Sequence, residues 1–171
     1  AAPGPVLSAL LFLAVALPRP ATAQSAALPD GSARPALTVG ALPGGLRLDG
    51  VLDEPAWAAA PLIQRLTMTE PDEGGTPAAG TLVRVLADAH HLVIGIVALD
   101  PDPAGIVSTS KARDPELRSE DYVKVVLDPF LDGRTGYVFA INPGAARYDA
   151  LVSRTSREGE DSQWDAVWEA R

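Results

Sequence analysis

The sequence contains no cysteine. That removes disulfides, thiolate metal sites and cysteine nucleophiles together. Aromatic side chains are scarce, with three Trp, three Tyr and three Phe among 171 residues, so a core must rest mainly on Val, Leu and Ile. The only histidines are the adjacent pair His90 and His91. A histidine-rich metal site has little to draw on, and a Ser-His-Asp arrangement would have to use one of these two. Positive charge is also short, with 14 Lys and Arg against 22 Asp and Glu and a formal net charge of −8. Such a balance repels polyanions, which argues against nucleic acid and anionic membrane surfaces as partners. No long segment carries a helical period.

What is present begins with an apolar run of twelve residues, Val6 to Leu17 (VLSALLFLAVAL). It is shorter than the roughly 20 residues that span a bilayer. It has the length of the apolar stretch of a secretory signal, and Ala21-Thr22-Ala23 supplies the small-x-small pattern for cleavage before Gln24. A buried core helix is the competing reading, but Pro18 and Pro20 would end it and no amphipathic pattern supports it. Residues 1–23 are therefore expected to be a partial signal peptide that lacks its charged start. Its removal takes away Arg19 and no acid, moving the net charge from −8 to −9. Residues 24–44, rich in Ala, Pro, Gly and Ser, read as a flexible linker.

From Leu46 the pattern becomes one of short strands and turns. Leu46 to Asp49 alternates, and Asp53 to Ala60 reads as a short helical turn capped by Asp53, with Pro55 near its start. Ile63 to Glu70 is a weaker strand candidate, followed by a loop over Asp72 to Gly80. Thr81–Ala87 and His91–Leu99 form the strongest hairpin signal, joined by Asp88-Ala89-His90. The second of these strands is apolar on both faces, so it should be central and covered on both sides. Asp100 to Arg118 is loop. Tyr122 to Leu127, Gly136 to Asn142 and Ala146 to Val152 follow as strands, with Asp132-Gly133 in one turn and Pro143-Gly144 expected at the centre of a type II turn. After a polar loop over Ser153 to Ser162, Trp164 to Ala170 opens a last strand. This spacing predicts an all-β antiparallel β-sandwich, immunoglobulin-like or jelly-roll-like. A sheet that stopped on an open apolar strand would be a liability, so the domain over 45–171 is expected to be truncated at its C-terminus.

These residues carry a family pattern. Leu48-Asp49-Gly50-Val51-Leu52-Asp53-Glu54-Pro55-Ala56-Trp57 resembles the opening of family-nine carbohydrate-binding modules. Further landmarks follow in order: the hairpin Val83 to Gly95, Glu120 to Asp128, and Thr135-Gly136-Tyr137. Phe139 to Gly144 and Trp164 to Glu169 are similar to the periplasmic domain that precedes a β-barrel in certain bacterial outer-membrane proteins of unestablished function. The resemblance covers about residues 45–170. It implies a carbohydrate-binding fold, sometimes attached to glycoside hydrolases and sometimes calcium-bound.

In sugar-binding members an aromatic precedes the acidic strand, a carboxylate lies within it and an arginine lies in the next. The corresponding positions here are Arg118, Lys124 and Ala140, so none matches, although Tyr122 is close to the first. Trp164 and Trp168 are the tempting replacement. On one strand they would share a face about 13 Å apart, at about 3.3 Å per residue. The polar Asp165 and Glu169 alternate with them, however, which favours the tryptophan face as the inward one. Trp57, set among alanines, reads as core. Ligand-contact candidates are therefore Trp164, Trp168, Tyr122 and Arg118. The loop from Asp100 superficially resembles a calcium loop, but Ala104 and Lys111 occupy its fifth and twelfth positions, where an EF-hand needs oxygen ligands. A looser calcium site would draw on Asp100, Asp102 and Asp121, set against the plainer reading of solvated loop acids. Catalytic residues are not expected within this chain, since a glycosidase carboxylate pair cannot be singled out.

The resulting expectation is a carbohydrate-binding-module-like domain of an exported envelope protein, in the periplasm or at the outer membrane. Its partner would be an oligosaccharide or cell-wall glycan, in the context of carbohydrate catabolism. Any membrane attachment would come through a region C-terminal to this chain. The alternatives are a structural periplasmic domain ahead of an outer-membrane barrel, with no sugar role, and an accessory module of a glycoside hydrolase.

Overall fold

The computed structural model describes residues 6–14 as backbone and residues 37–64, 66–153 and 159–171 in full. The expected cleavage site at Ala21 to Ala23, linker residues 24–36 and part of the polar loop after Ser153 lie outside the described residues.

The chain is all-β, with two sheets and almost no helix. Its strands are β1 (Val6–Ala14), β2 (Gly40–Ala41), β3 (Thr81–Ala87), β4 (His91–Leu99), β5 (Val123–Leu127), β6 (Thr135–Ile141), β7 (Arg147–Ser153), β8 (Glu160–Asp161) and β9 (Trp168–Ala170). One sheet has the order β2-β3-β4-β1-β9 and the other β5-β6-β7-β8. Every pairing is antiparallel except the short parallel contact of β2 with β3.

The expected central position of β4 is what its sequence dictates. Ile94 and Ile96 point into a core shared by both sheets, where they meet Phe139 and Ile141 of β6 and Trp168 and Ala170 of β9. Val93, on the other face, joins Leu86, Trp57 and Ala60 in a second cluster. The short helix α1 (Pro55–Ala59) carries Trp57 onto that face, where the ring is 1 % exposed. Gly95 permits the close approach, because a Cβ there would lie 2.9 Å from the Trp57 ring and would overlap Leu52. The loop between β3 and β4 is set by Asp88, whose carboxylate accepts from the backbone N–H groups of His90 and His91, both at 2.7 Å. These bonds, that of His90 first, lower its pKa to about 2.

Several local expectations are corrected. The residue preceding α1 is Glu54, with no side-chain cap, and Asp53 instead pairs with Arg47 at 3.1 Å. Leu46 to Asp49 forms no strand, and the described residues of Ile63 to Glu70 contribute only an isolated bridge from Ile63 to Val83. Positive φ after β6 falls on Ala145 (64°) rather than Gly144, so Pro143-Gly144 is not the centre of a type II turn. The connection is a three-residue loop closed by the Asn142 and Ala146 backbones. The final strand begins at Trp168, and Trp164 precedes it. Gly40 and Ala41, assigned by composition to the linker, pair with Leu86 and Ala87.

Val6–Ala14 is paired as a strand along all nine residues of β4 and, on its other side, with β9. Two apolar strands with open ladders offer such a run a partner on each side. Hydrophobicity alone does not separate a leader from a doubly covered strand.

Candidate functional site

The second sheet builds a groove on the face turned away from the shared core. Strand alternation decides which side chains reach it. Val123, Val125 and Leu127 of β5 pack against the core, leaving Lys124 and Val126 on the opposite face. Tyr137, Phe139 and Ile141 of β6 point the same way as those core residues, leaving Val138 and Ala140 on the groove side. Register then aligns Lys124 with Ala140, and Ala140 with Tyr148 of β7, in one row across three strands. Ala140, 2 % exposed, keeps the floor low between two long side chains.

Glu160 of β8, opposite Val152 by register, reaches this row with its side chain. It forms an ion pair with the Lys124 ammonium and accepts from the Tyr148 hydroxyl at 3.0 Å. Burial, and next the bond to Glu160, push the Tyr148 phenol up to about 12, so at neutral pH it is a neutral hydrogen-bond donor. The opposite wall is the segment from Asp114 to Arg118 together with Tyr122, which is 44 % exposed. The groove so enclosed has a volume of about 540 Å³. Arg118 stands at its rim, 3.8 Å from Glu116, with its side chain almost wholly in solvent.

The loop wall is held in place by a set of polar bonds, most of them partly exposed. Leu117 is buried, and the Asp114 N–H donates to the Arg147 carbonyl at 2.8 Å. Glu120 accepts from the Thr109 hydroxyl at 2.8 Å, from the Ser110 N–H at 2.9 Å and from the Asn142 side-chain amide at 2.8 Å. The bond from the Ser110 side chain, followed by that from Asn142, holds the Glu120 carboxyl down at about 2. Asn142 itself is 3 % exposed and also donates to the Ser110 carbonyl and accepts from the Ala146 N–H. The groove is therefore largely preformed.

The sequence candidates are distributed as follows. Arg118 and Tyr122 line the groove, as do Lys124 and Ala140. Trp168 is not there. It is 4 % exposed in the core, its indole N–H donating to Asp149 at 3.1 Å, with Arg147 over its ring. Trp164 is half-buried against Tyr137 and Phe139, with ring centroids 5.0 and 6.3 Å apart. Asp100 and Asp121 border a smaller cavity of about 240 Å³ at one end of the sheets, which Tyr122 also touches. Asp100 accepts from the Asp102 N–H at 2.7 Å, and Asp121 from the Val107 N–H at 2.8 Å, so both brace loops. Among the described residues no group of three or more His, Cys, Asp or Glu side chains is placed to hold a metal ion, and Asp100, Asp102 and Asp121 make no such cluster.

Tyr148 and Glu160 were not singled out by sequence. A signal existed for Tyr148, since the three-residue loop after Asn142 fixes the register that puts it opposite Ala140. Glu160 gave none, because it reaches the groove only when the chain returns along β7.

The arrangement sets an ammonium, a carboxylate and a phenol hydroxyl along a polar trough that Tyr122 also lines. It suits a ligand whose own groups both donate and accept, as hydroxyls do. No family model, no curated protein and no solved structure matches this chain.

Proposed function

We propose that this chain is a β-sandwich of the carbohydrate-binding-module type, part of an exported envelope protein. In this reading the groove over β5, β6 and β7 holds an oligosaccharide or cell-wall glycan. One observation carries it: Arg118, Lys124 and Ala140, the positions where the resemblance places the sugar contacts, all line one groove. The side chains at those positions differ from the sugar-binding pattern, and Tyr122, Tyr148 and Glu160 supply the aromatic faces and the carboxylate from elsewhere. The shared core between the two sheets supports the sandwich arrangement. The apolar run and small-x-small site in the sequence support export to the periplasm or outer membrane.

A second reading, a structural envelope domain without a sugar role, is favoured by the tryptophans. Trp57 and Trp168 are buried and Trp164 is packed against core aromatics, so none forms an open stacking platform.

Calorimetric titration of the full chain with cello-, xylo- and peptidoglycan-derived oligosaccharides, with and without calcium, separates the two. The groove reading expects saturable binding to at least one glycan, weakened by about tenfold in Tyr122→Ala, the loss of one aromatic stacking contact of roughly 1–1.5 kcal/mol. Absence of heat with every glycan, in a folded protein, favours the structural reading.

A further inference from the structure

The first sheet contains a strand whose origin is unlike that of its neighbours. β1 lies between β4 and β9, antiparallel to both, and among the described residues no other strand joins those two. Register places Leu11 between Ile94 and Ala170, and Leu13 between Leu92 and Trp168. The flanking members of these rows, Ile94, Leu92, Trp168 and Ala170, belong to the core shared by the two sheets. Whatever occupies this place completes two hydrogen-bond ladders beside that core.

We propose that the gap between β4 and β9 is a strand-binding site, whose ligand is an extended, uncharged apolar segment of a second polypeptide. In this chain Val6–Ala14 fills it in cis. The proposal rests on the sequence reading of residues 1–23 as a leader that is removed on export. Among the described residues, removal leaves β4 with one whole ladder open and β9 with no paired strand. An open strand as apolar as β4 does not persist in water, because its N–H and C=O row templates any strand that fits.

The chemistry of the ligand is set by the site. It must be about nine residues long to match β4 and run antiparallel to it. Both of its edges are paired along the segment facing β9, so a proline there is excluded. The sequence VLSALLFLA meets each condition. Recognition would follow strand addition, with the backbone giving affinity and alternate side chains giving selectivity. A leader able to occupy the site also ties export to folding, since the run cannot serve the translocation machinery and the sheet at once.

Two measurements on the full chain test this. The first is amide hydrogen exchange of the intact protein, which should show residues 6–14 and 91–99 protected together. The second uses the full chain with a specific protease sequence placed between residues 24 and 36. It is cut, unfolded in urea, and refolded with a tenfold excess of fluorescent, lysine-flanked VLSALLFLA peptide. With equal affinity for the site, about nine in ten refolded molecules should carry one labelled strand. The peptide with Leu11→Pro, whose position pairs on both sides, should be taken up at least about tenfold less well, because it forfeits ladder bonds on an apolar strand. Exchange of residues 6–14 at the unprotected rate in the intact chain overturns the proposal. So does refolded protein that carries no label.

Discussion

Asp149 is the residue whose replacement the structure prices most directly. It lies on β7, wholly buried. Its carboxylate accepts from the Ala166 N–H at 2.6 Å and from the Trp168 indole N–H at 3.1 Å, and it pairs with Arg113. Asp149→Asn keeps the shape but replaces one acceptor oxygen by an amide nitrogen that must face a donor. One buried donor is then orphaned, at about 1–3 kcal/mol. The Arg113 guanidinium keeps Asp114 at 3.2 Å and Asp165 at 3.1 Å, and it is one-third exposed. The lost ion pair therefore costs less than the roughly 3–5 kcal/mol of a fully stranded buried charge. Together these give a loss of about 2–4 kcal/mol. For a urea slope of about 2 kcal/mol per molar, the unfolding midpoint should fall by about 1–2 M. Equilibrium urea unfolding, followed by tryptophan emission, reads this with Trp168 as a probe beside the mutated group. A midpoint within about 0.3 M of the parent, with an unchanged slope, would refute the assignment of this carboxylate as the fastening between β7 and the last strand.

Two further predictions follow from the same reasoning. Because Glu120 is held at about 2 rather than 4.5, the stability it contributes is complete above its unfolded pKa and is lost as pH falls from about 4.5 towards 2. Glu120→Gln should flatten the pH dependence of the melting temperature across that window, and an unchanged slope would contradict the bonding assigned to Ser110 and Asn142. Gly95→Val should destabilise the fold by about 1–3 kcal/mol through overpacking against Trp57 and Leu52. Thermal unfolding checks this, and a neutral result would mean that Trp57 does not rest on β4.

Much of this architecture was legible in the sequence, because its strands state their environment. β4 is apolar on both faces and lies between two clusters, while β5 alternates and has one face in the core. Turn chemistry located the hairpins, although the strained position after β6 moved by one residue to Ala145. The failures came where distant partners decide. Nothing local shows that Asp53 prefers Arg47 to a helix end, or that Gly40 and Ala41 pair with β3. The groove was half legible. Arg118 and Tyr122 were found through the resemblance, whereas Tyr148 and Glu160 became neighbours of Lys124 only through strand register. Trp164 and Trp168, each followed directly by an acid, Asp165 and Glu169, read as an inward face, and their contacts with Phe139 place them inside.

Backbone and side-chain chemical-shift mapping of the isotope-labelled full chain, titrated with the glycan panel, tests the functional reading most directly. The reading predicts saturable shifts confined to Arg118, Tyr122, Lys124, Tyr148 and Glu160, with the indole signals of Trp57 and Trp168 unmoved. Shifts centred on Trp164 and its neighbours, or none with any glycan, would contradict it.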